Sequence, residues 1–91
     1  MTIYDKVNVA IGTSWGRLLL YDTSSERILL DEEIGIGYDI FCVEVTEDFF
    51  SKLPENRLVF TCSRDGMVRV HSFNATRPES FNHLHTFKHD H

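Results

Sequence analysis

The chain has 91 residues, enough for one small domain in which roughly 60–65% of the unfolded surface becomes buried. A hydrophobic content of 42% with 25% charged residues is typical of a globular protein and excludes an intrinsically disordered chain. The 14 acidic residues outnumber the 9 basic ones, giving a net charge of −5. This balance argues against direct nucleic-acid binding, which depends on clustered lysines and arginines.

The terminal segment and the cysteines bear on where the protein works. No basic segment followed by an apolar run opens the chain, and no stretch approaches the ~20 apolar residues of a membrane span. We therefore expect no membrane span and an intracellular location, cytoplasmic or nuclear. Cys42 and Cys62 lie in apolar strand patterns without C-x-x-C spacing, so we expect buried free thiols, with a disulfide as the alternative.

The first half of the chain predicts short strands separated by turns. Alternating apolar residues predict strands at residues 7–11, 17–21 and 27–30, and a fourth at residues 40–45. The segment that follows, residues 46–56, carries acidic residues at its start and apolar residues four apart. That pattern predicts one or two helical turns ending before Pro54.

The clearest local signal is a hairpin at residues 58–73. Apolar and polar residues alternate on both sides of Arg64-Asp65-Gly66, and an Asp-Gly pair in that setting is a strong hairpin signal. Asp65 can accept hydrogen bonds from nearby backbone N–H groups, and Gly66 takes a positive φ without steric cost. A loop and a last, polar strand at residues 82–88 bring the predicted strands to about seven.

An earlier hairpin resembles this one at a fixed spacing. Aligning Gly16 with Gly66 also aligns Thr13 with Ser63 and places the flanking apolar residues in the same positions. The offset follows from the numbering of the two glycines, because 66 − 16 = 50. An internal repeat of this size is typical of propellers and solenoids.

Residues 61–72, Thr-Cys-Ser-Arg-Asp-Gly-Met-Val-Arg-Val-His-Ser, resemble the second strand, turn and third strand of a WD40 repeat. His71-Ser72 stands where that family has Trp-Asp, and Tyr21-Asp22 stands at this place in the earlier copy. Upstream, Gly35-Ile36 stands where the family has Gly-His. The resemblance implies an all-β chain of about two blades of a WD40-like β-propeller, the first at about residues 7–33 and the second at about residues 35–88.

The same resemblance implies how such a chain would act. A propeller has roughly four to eight four-stranded blades, so this chain would be a fragment or a unit that other chains complete. It would be a non-catalytic scaffold or adaptor that binds other proteins within a multiprotein complex, with no cofactor. Its turn would be held by a structural network of Ser63, Asp65, Gly66 and His71.

Two groups of residues are weighed as sites. Ser63, Asp65 and His71 could also be imagined as a catalytic triad, but the hairpin lacks a strand-to-helix elbow and evident oxyanion donors, so we predict no catalytic residue. The candidate partner contacts are aromatic residues in a turn and in the segment after the fourth strand, because aromatic residues are enriched at interface hot spots. These are Trp15, Phe49 and Phe50, and packing of one phenylalanine against the sheet is the alternative.

A rival interpretation is a small independent β-barrel or sandwich that binds metal or hydrolyses a small substrate. His83, His85, His89 and His91 form an H-x-H-x3-H-x-H pattern, and alternate residues of a strand share a face. His83 and His85 would then approach one metal ion together. We nevertheless predict no metal site, since no cysteine or further acidic residue has matching spacing and a polar edge strand explains the histidines.

Overall fold

The structure, a computed structural model, describes residues 1–35 and 37–88. These residues form eight strands and no helix, so the all-β prediction is confirmed. The strands make two four-stranded antiparallel sheets, each in simple chain order. The first, the N-sheet, contains β1 (Thr2–Tyr4), β2 (Asn8–Gly12), β3 (Arg17–Asp22) and β4 (Arg27–Glu33). The second, the C-sheet, contains β5 (Ile40–Glu47), β6 (Asn56–Ser63), β7 (Met67–Asn74) and β8 (Arg77–Lys88).

Three expectations about elements differ from the structure. Strand β8 begins at Arg77, five residues before the predicted start at residue 82, so most of the loop predicted before it is strand. Strand β1 was not among the seven predicted strands, and it gives the N-sheet its fourth strand. The helical turns expected within residues 46–56 are wrong, because β5 continues to Glu47, β6 begins at Asn56 and residues 48–55 form the loop between them. Asp48 Oδ1 accepts the Phe50 amide at 3.1 Å, and Ser51 Oγ accepts the Leu53 amide at 3.1 Å. These side chains satisfy backbone donors locally and so compete with a helix.

The two sheets are built alike. Val9 lies opposite Tyr21 in the N-sheet, and Val59 lies opposite His71 in the C-sheet, so both partners are shifted by the same offset that relates Gly16 to Gly66. We call residues related by this offset repeat equivalents. A β-bulge follows residue 20 in the pairing of β3 with β4, and another follows residue 70 in the pairing of β7 with β8. The repeat seen in the sequence therefore extends to strand register and to the position of a bulge.

The two equivalent hairpin turns also have the same geometry. The Gly16 amide donates to the Thr13 carbonyl at 3.2 Å, and the Gly66 amide donates to the Ser63 carbonyl at 3.0 Å. Both glycines have a positive φ, 85° and 83° respectively. A three-residue hairpin loop needs this left-handed residue at its end, and glycine adopts it without a Cβ clash.

The core lies between the two sheets, where one face of the N-sheet packs against one face of the C-sheet. Strand β5 contacts β1 and β2, and β4 contacts β8. The ring of Tyr4 meets that of Phe73 edge-on, with centroids 5.7 Å apart. Burying such aliphatic and aromatic side chains is the main favourable term in folding. The buried cluster consists of Tyr4, Ala10, Leu18, Leu20, Leu30 and Ile34 with Ile40, Val43, Val59 and Phe73.

The two sheets use opposite faces in this interface. Ala10 and Leu18 point from the N-sheet into the core, whereas their repeat equivalents Phe60 and Val68 lie on the outer face of the C-sheet. In the C-sheet it is the neighbouring residue Val59 that enters the core. Successive side chains of a strand point to opposite faces, so the sheets are stacked front to back.

The connection between the sheets is fastened to the β2–β3 turn. The Gly16 carbonyl accepts the Ile34 and Gly35 amides at 2.9 and 2.8 Å, and the Thr13 carbonyl accepts the Ile40 amide at 3.0 Å. A side chain at Gly12 would collide with Ile40, so the absence of a Cβ allows β2 and β5 to approach closely. The connection thereby sets how the C-sheet docks on the N-sheet.

Candidate functional site

The β6–β7 turn is held by a compact polar network. Ser63 Oγ donates to Asp65 Oδ1 at 2.5 Å, and the Met67 amide donates to the same oxygen at 3.0 Å. Arg69 donates to Ser63 Oγ at 2.7 Å and to Asp65 Oδ2 at 2.6 Å. The Arg69 side chain is only 12% exposed, so the ion pair is largely shielded from water.

The electrostatics of Asp65 follow from these contacts. Burial alone would raise the pKa of Asp65, but hydrogen bonds from Arg69, Ser63 and the Met67 amide outweigh it and lower the pKa to about 2. The sequence prediction did not include Arg69. The feature that could have indicated Arg69 is its position in β7. It is a charged residue two places before His71, so it lies on the same face of the strand as buried residues.

His71 lies apart from this network, although the sequence placed it there. Its ring stacks on Phe81 with centroids 4.6 Å apart and meets His83 edge-on at 5.2 Å. Within residues 1–35 and 37–88, its buried Nδ1 atom has no hydrogen-bond partner. Burial lowers the pKa of His71 to about 4, with further lowering from His83 and Arg69. Because Arg69 occupies the space beside Ser63 and Asp65, the imagined triad does not form.

The two described histidines of the C-terminal pattern do not share a face. The bulge at Leu84 breaks the alternation of β8, so that His83 lies opposite His71 and His85 lies opposite Val70. The rival interpretation, in which His83 and His85 approach one metal ion together, does not fit this register. Residues 1–35 and 37–88 contain no group of three or more metal-ligating side chains. Ile36, His89 and His91, which also figured in the sequence predictions, lie outside the described residues.

The outer face of the C-sheet carries an apolar groove of about 440 Å³. Phe60 and Val70 form its floor, Leu84 and Phe87 line it from β8, and Phe50 reaches it from the β5–β6 loop. Val68 lies opposite Phe87 on the same face. We call Phe60, Val68, Val70, Leu84 and Phe87 the C-face.

The outer face of the N-sheet is apolar as well. Alternation from the buried residues of β2 and β3 places their intervening side chains on this side, and cross-strand pairing adds residues from β1 and β4. We call this surface the N-face, and it consists of Ile3, Val9, Ile11, Leu19, Tyr21 and Ile28. Its outermost members, Ile3 and Ile28, are well exposed.

The three aromatic residues chosen as candidate partner contacts are all at the surface. Phe49 and Phe50 are 78% and 94% exposed in the β5–β6 loop, so neither is packed in the core. Trp15 is exposed in the β2–β3 turn, which is hydrogen-bonded to Ile40 at the start of β5, whereas the β5–β6 loop follows the other end of that strand. The structure therefore brings Phe50 to the C-face and leaves Trp15 on a separate surface.

The two cysteines face each other across β5 and β6. Cys42 is paired opposite Cys62, and both are free thiols. Cys42 is exposed and Cys62 is half-buried, so the prediction of buried thiols is wrong for Cys42. Burial, and to a smaller extent the neighbouring Cys42, raises the pKa of Cys62. The thiolate form of Cys62 is therefore less populated at neutral pH.

Comparison of the chain with protein-family models and with curated proteins finds no match. Among residues 1–35 and 37–88 there is no helix of the length and hydrophobicity needed to cross a membrane. The apolar faces and the turn network described above are therefore the observations from which a function is inferred.

Proposed function

We propose that this chain is a non-catalytic protein-interaction scaffold, formed by about two blades of a WD40-like β-propeller, that binds other proteins through its outer faces. The observation that carries the proposal is the front-to-back stacking of two like sheets, which leaves an apolar face at each end. Contiguous exposed apolar patches of this kind mark interaction sites. An intracellular setting, cytoplasmic or nuclear, accompanies the proposal, since free cysteines suit a reducing compartment.

The shared geometry of the two sheets supports the propeller. A propeller repeats one four-stranded antiparallel sheet around an axis, so each sheet presents one face forward and the other backward. The common offset in register, turn and bulge fits that kind of repetition. A closed two-sheet sandwich, the rival architecture, turns polar residues outward, whereas here Ile28 and Phe87 are 58% and 52% exposed on the two outer faces.

The turn network gives the scaffold its rigidity. Loops carry binding residues most effectively when a rigid framework positions them. The Ser63–Asp65–Arg69 contacts hold the β6–β7 turn, and the Asp48 and Ser51 side chains organise the loop that presents Phe50. The hydrolase alternative gains no support from this turn, because Ser63 Oγ is engaged by Asp65 and Arg69.

Affinity capture with the full chain tests the proposal through Phe50. We expect Phe50→Ala to reduce capture of the main partner proteins by at least about tenfold, because truncating an aromatic hot spot costs on the order of 2 kcal/mol. The melting temperature should not change, since Phe50 is 94% exposed. Quantitative mass spectrometry of the captured proteins, followed by titration with the purified partner, measures the effect.

A matched control lies in the same loop. Leu53 is also exposed, and Leu53→Ala removes apolar surface that does not line the groove. We expect it to retain wild-type capture. Equal capture by wild type, Phe50→Ala and Leu53→Ala would overturn the role of the Phe50 loop, and failure of the wild type to retain any protein would overturn the scaffold proposal.

A further inference from the structure

We propose that the N-face of one copy of this chain binds the C-face of a second copy, so that copies assemble head to tail. This inference deepens the proposed function and rests on it, because it names a second copy as one partner of the scaffold. It follows from how the two sheets already bind each other within one chain. The internal interface shows which kind of face fits against which.

The C-face corresponds to the surface that the N-sheet already uses for sheet packing. Phe60 and Val68 are the repeat equivalents of Ala10 and Leu18, which contact the C-sheet in the core. The C-sheet therefore presents to solvent the same side that, in the N-sheet, is covered by a neighbouring sheet. This side of the sheet is covered in the N-sheet and exposed in the C-sheet.

The N-face corresponds to the other half of the internal interface. Val9 and Tyr21 are the repeat equivalents of Val59 and His71, both of which are buried on the inner side of the C-sheet. The N-sheet thus exposes the side that, in the C-sheet, packs against a partner. In addition to its buried internal interface, each chain therefore exposes one surface equivalent to each side of that interface.

The composition of the two faces suits this pairing. Six apolar side chains make up most of the N-face. The strand pairing also places Asp31 opposite Leu19 and Glu33 opposite Arg17 on this side, and Arg17 and Asp31 are joined at 2.6 Å. The centre of the C-face is also apolar, with Glu44 and His85 lying beside Phe60 and Val70 in the strand pairing. Apolar centres bordered by a few polar groups are typical of protein interfaces.

The internal stacking also determines the symmetry of the assembly. Unlike faces meet within the chain, so the same contact between copies is heterologous rather than two-fold. A heterologous contact closes into a ring when its rotation divides a full turn, and propellers close at roughly four to eight sheets. Each copy contributes two sheets, so we expect a discrete assembly of about two to four copies.

Two single substitutions test the inference by blocking one face each. Phe87→Glu places a charge on the C-face, and Ile28→Glu places one on the N-face; both residues are exposed, so both variants should fold. Light scattering coupled to size exclusion, from micromolar to millimolar chain, measures the mass, and circular dichroism checks the fold. We expect wild type to form the discrete assembly and each variant to be monomeric, with self-association weakened by about 100-fold or more.

Mixing the two variants is the decisive measurement. In an equimolar mixture the intact N-face of Phe87→Glu can bind the intact C-face of Ile28→Glu, so the mixture should give a dimer and nothing larger. A matched control is Leu53→Glu, which adds a charge at an exposed apolar residue outside both faces and should assemble as wild type does.

The possible results separate this inference from the proposed function. A monomeric wild type at all concentrations, or a monomeric mixture, overturns head-to-tail assembly and leaves another occupant, such as a further sheet of a longer chain. If Phe50-dependent capture persists in that case, the scaffold function stands while this inference falls. Assembly that Phe87→Glu abolishes and Ile28→Glu does not would mean a two-fold contact and would also overturn it.

Discussion

Arg69 donates to both Ser63 and Asp65 and is nearly enclosed by the protein. Charged hydrogen bonds of this kind are roughly twice as strong as neutral ones, and they are costly to break when shielded from water. His71, two residues further along the same strand face, shows the opposite situation, because its buried Nδ1 is unpaired among the residues that the structure describes. Asp65, which is bound by Arg69, and His71 are therefore the groups through which the stability of the C-sheet should depend on pH.

Substituting Asp65 should weaken the fold substantially. Asp65→Asn leaves Arg69 buried without its counter-charge, and we expect a loss of about 2–4 kcal/mol in the free energy of unfolding at pH 7. The folded pKa of Asp65, about 2, lies below the ordinary value of 3.8, so this stabilisation is present above pH 3.8 and lost as the pH falls through 2. Urea denaturation followed by circular dichroism measures the loss.

The surface ion pair of Asp39 with Arg64 provides the comparison. The two side chains are joined at 3.1 Å, but that of Arg64 is 67% exposed, so Asp39→Asn should cost less than about 1 kcal/mol. Similar losses for Asp65→Asn and Asp39→Asn would show that the turn network contributes no more than a surface pair.

Stability should also decline in mild acid because of His71. Its pKa is about 4 in the folded protein against 6.5 when unfolded, so the unfolded state binds the proton first as the pH falls. The free energy of unfolding should therefore drop between pH 6.5 and 4, by about 3 kcal/mol at most, and level off below. Thermal unfolding across this range measures the slope, with His83 and Arg69 as the nearby groups that also bear on it.

A variant without the titrating ring identifies the cause of that slope. His71→Phe should flatten the decline and keep the stacking on Phe81, whereas His85→Asn, on the outer side of β8, should leave it unchanged. An unchanged slope in His71→Phe would assign the acid sensitivity to other groups.

At the scale of elements, β1 exists because the C-sheet supports it. It has three residues, and its turn places Asp5 and Lys6 at positive φ values of 49° and 69° without a glycine. Such conformations cost roughly 1–2 kcal/mol each. The Arg57–Asp5 ion pair, at 3.1 Å, and the packing of Tyr4 on Phe73 offset that cost. Both contacts come from residues in the other half of the chain, so local pattern could not reveal the strand.

The close approach of β2 to β5 gives a prediction at the same scale. Gly12→Ala should destabilise the fold by about 1–3 kcal/mol, because the new Cβ meets the Ile40 side chain and overpacks the junction between the sheets. Cys62→Ala, at the repeat-equivalent position of the C-sheet, provides the control and should cost little, since Cys62 lies on the outer side. Urea denaturation compares them, and a Gly12→Ala variant as stable as wild type would contradict the close contact.

At the scale of the whole molecule, one packing rule explains both the core and the surface. Because like sheets stack front to back, the side that is core in one sheet is surface in the other. A chain built this way cannot bury all of its apolar faces alone, and its stability is expected to increase when a partner covers them. The light-scattering and capture experiments above measure that property directly.

The sequence by itself determined seven of the strands, although β8 begins five residues before its predicted start, together with the two glycine-closed turns and the internal repeat. These features depend on alternation and turn chemistry, which are local. Only the tertiary structure decided which side of each sheet is buried, that β1 pairs, that Arg69 rather than His71 completes the turn network, and that a bulge separates His83 from His85. The physical reason is that these outcomes depend on contacts between the sheets and on a one-residue shift in register, which alternation along a single strand does not encode.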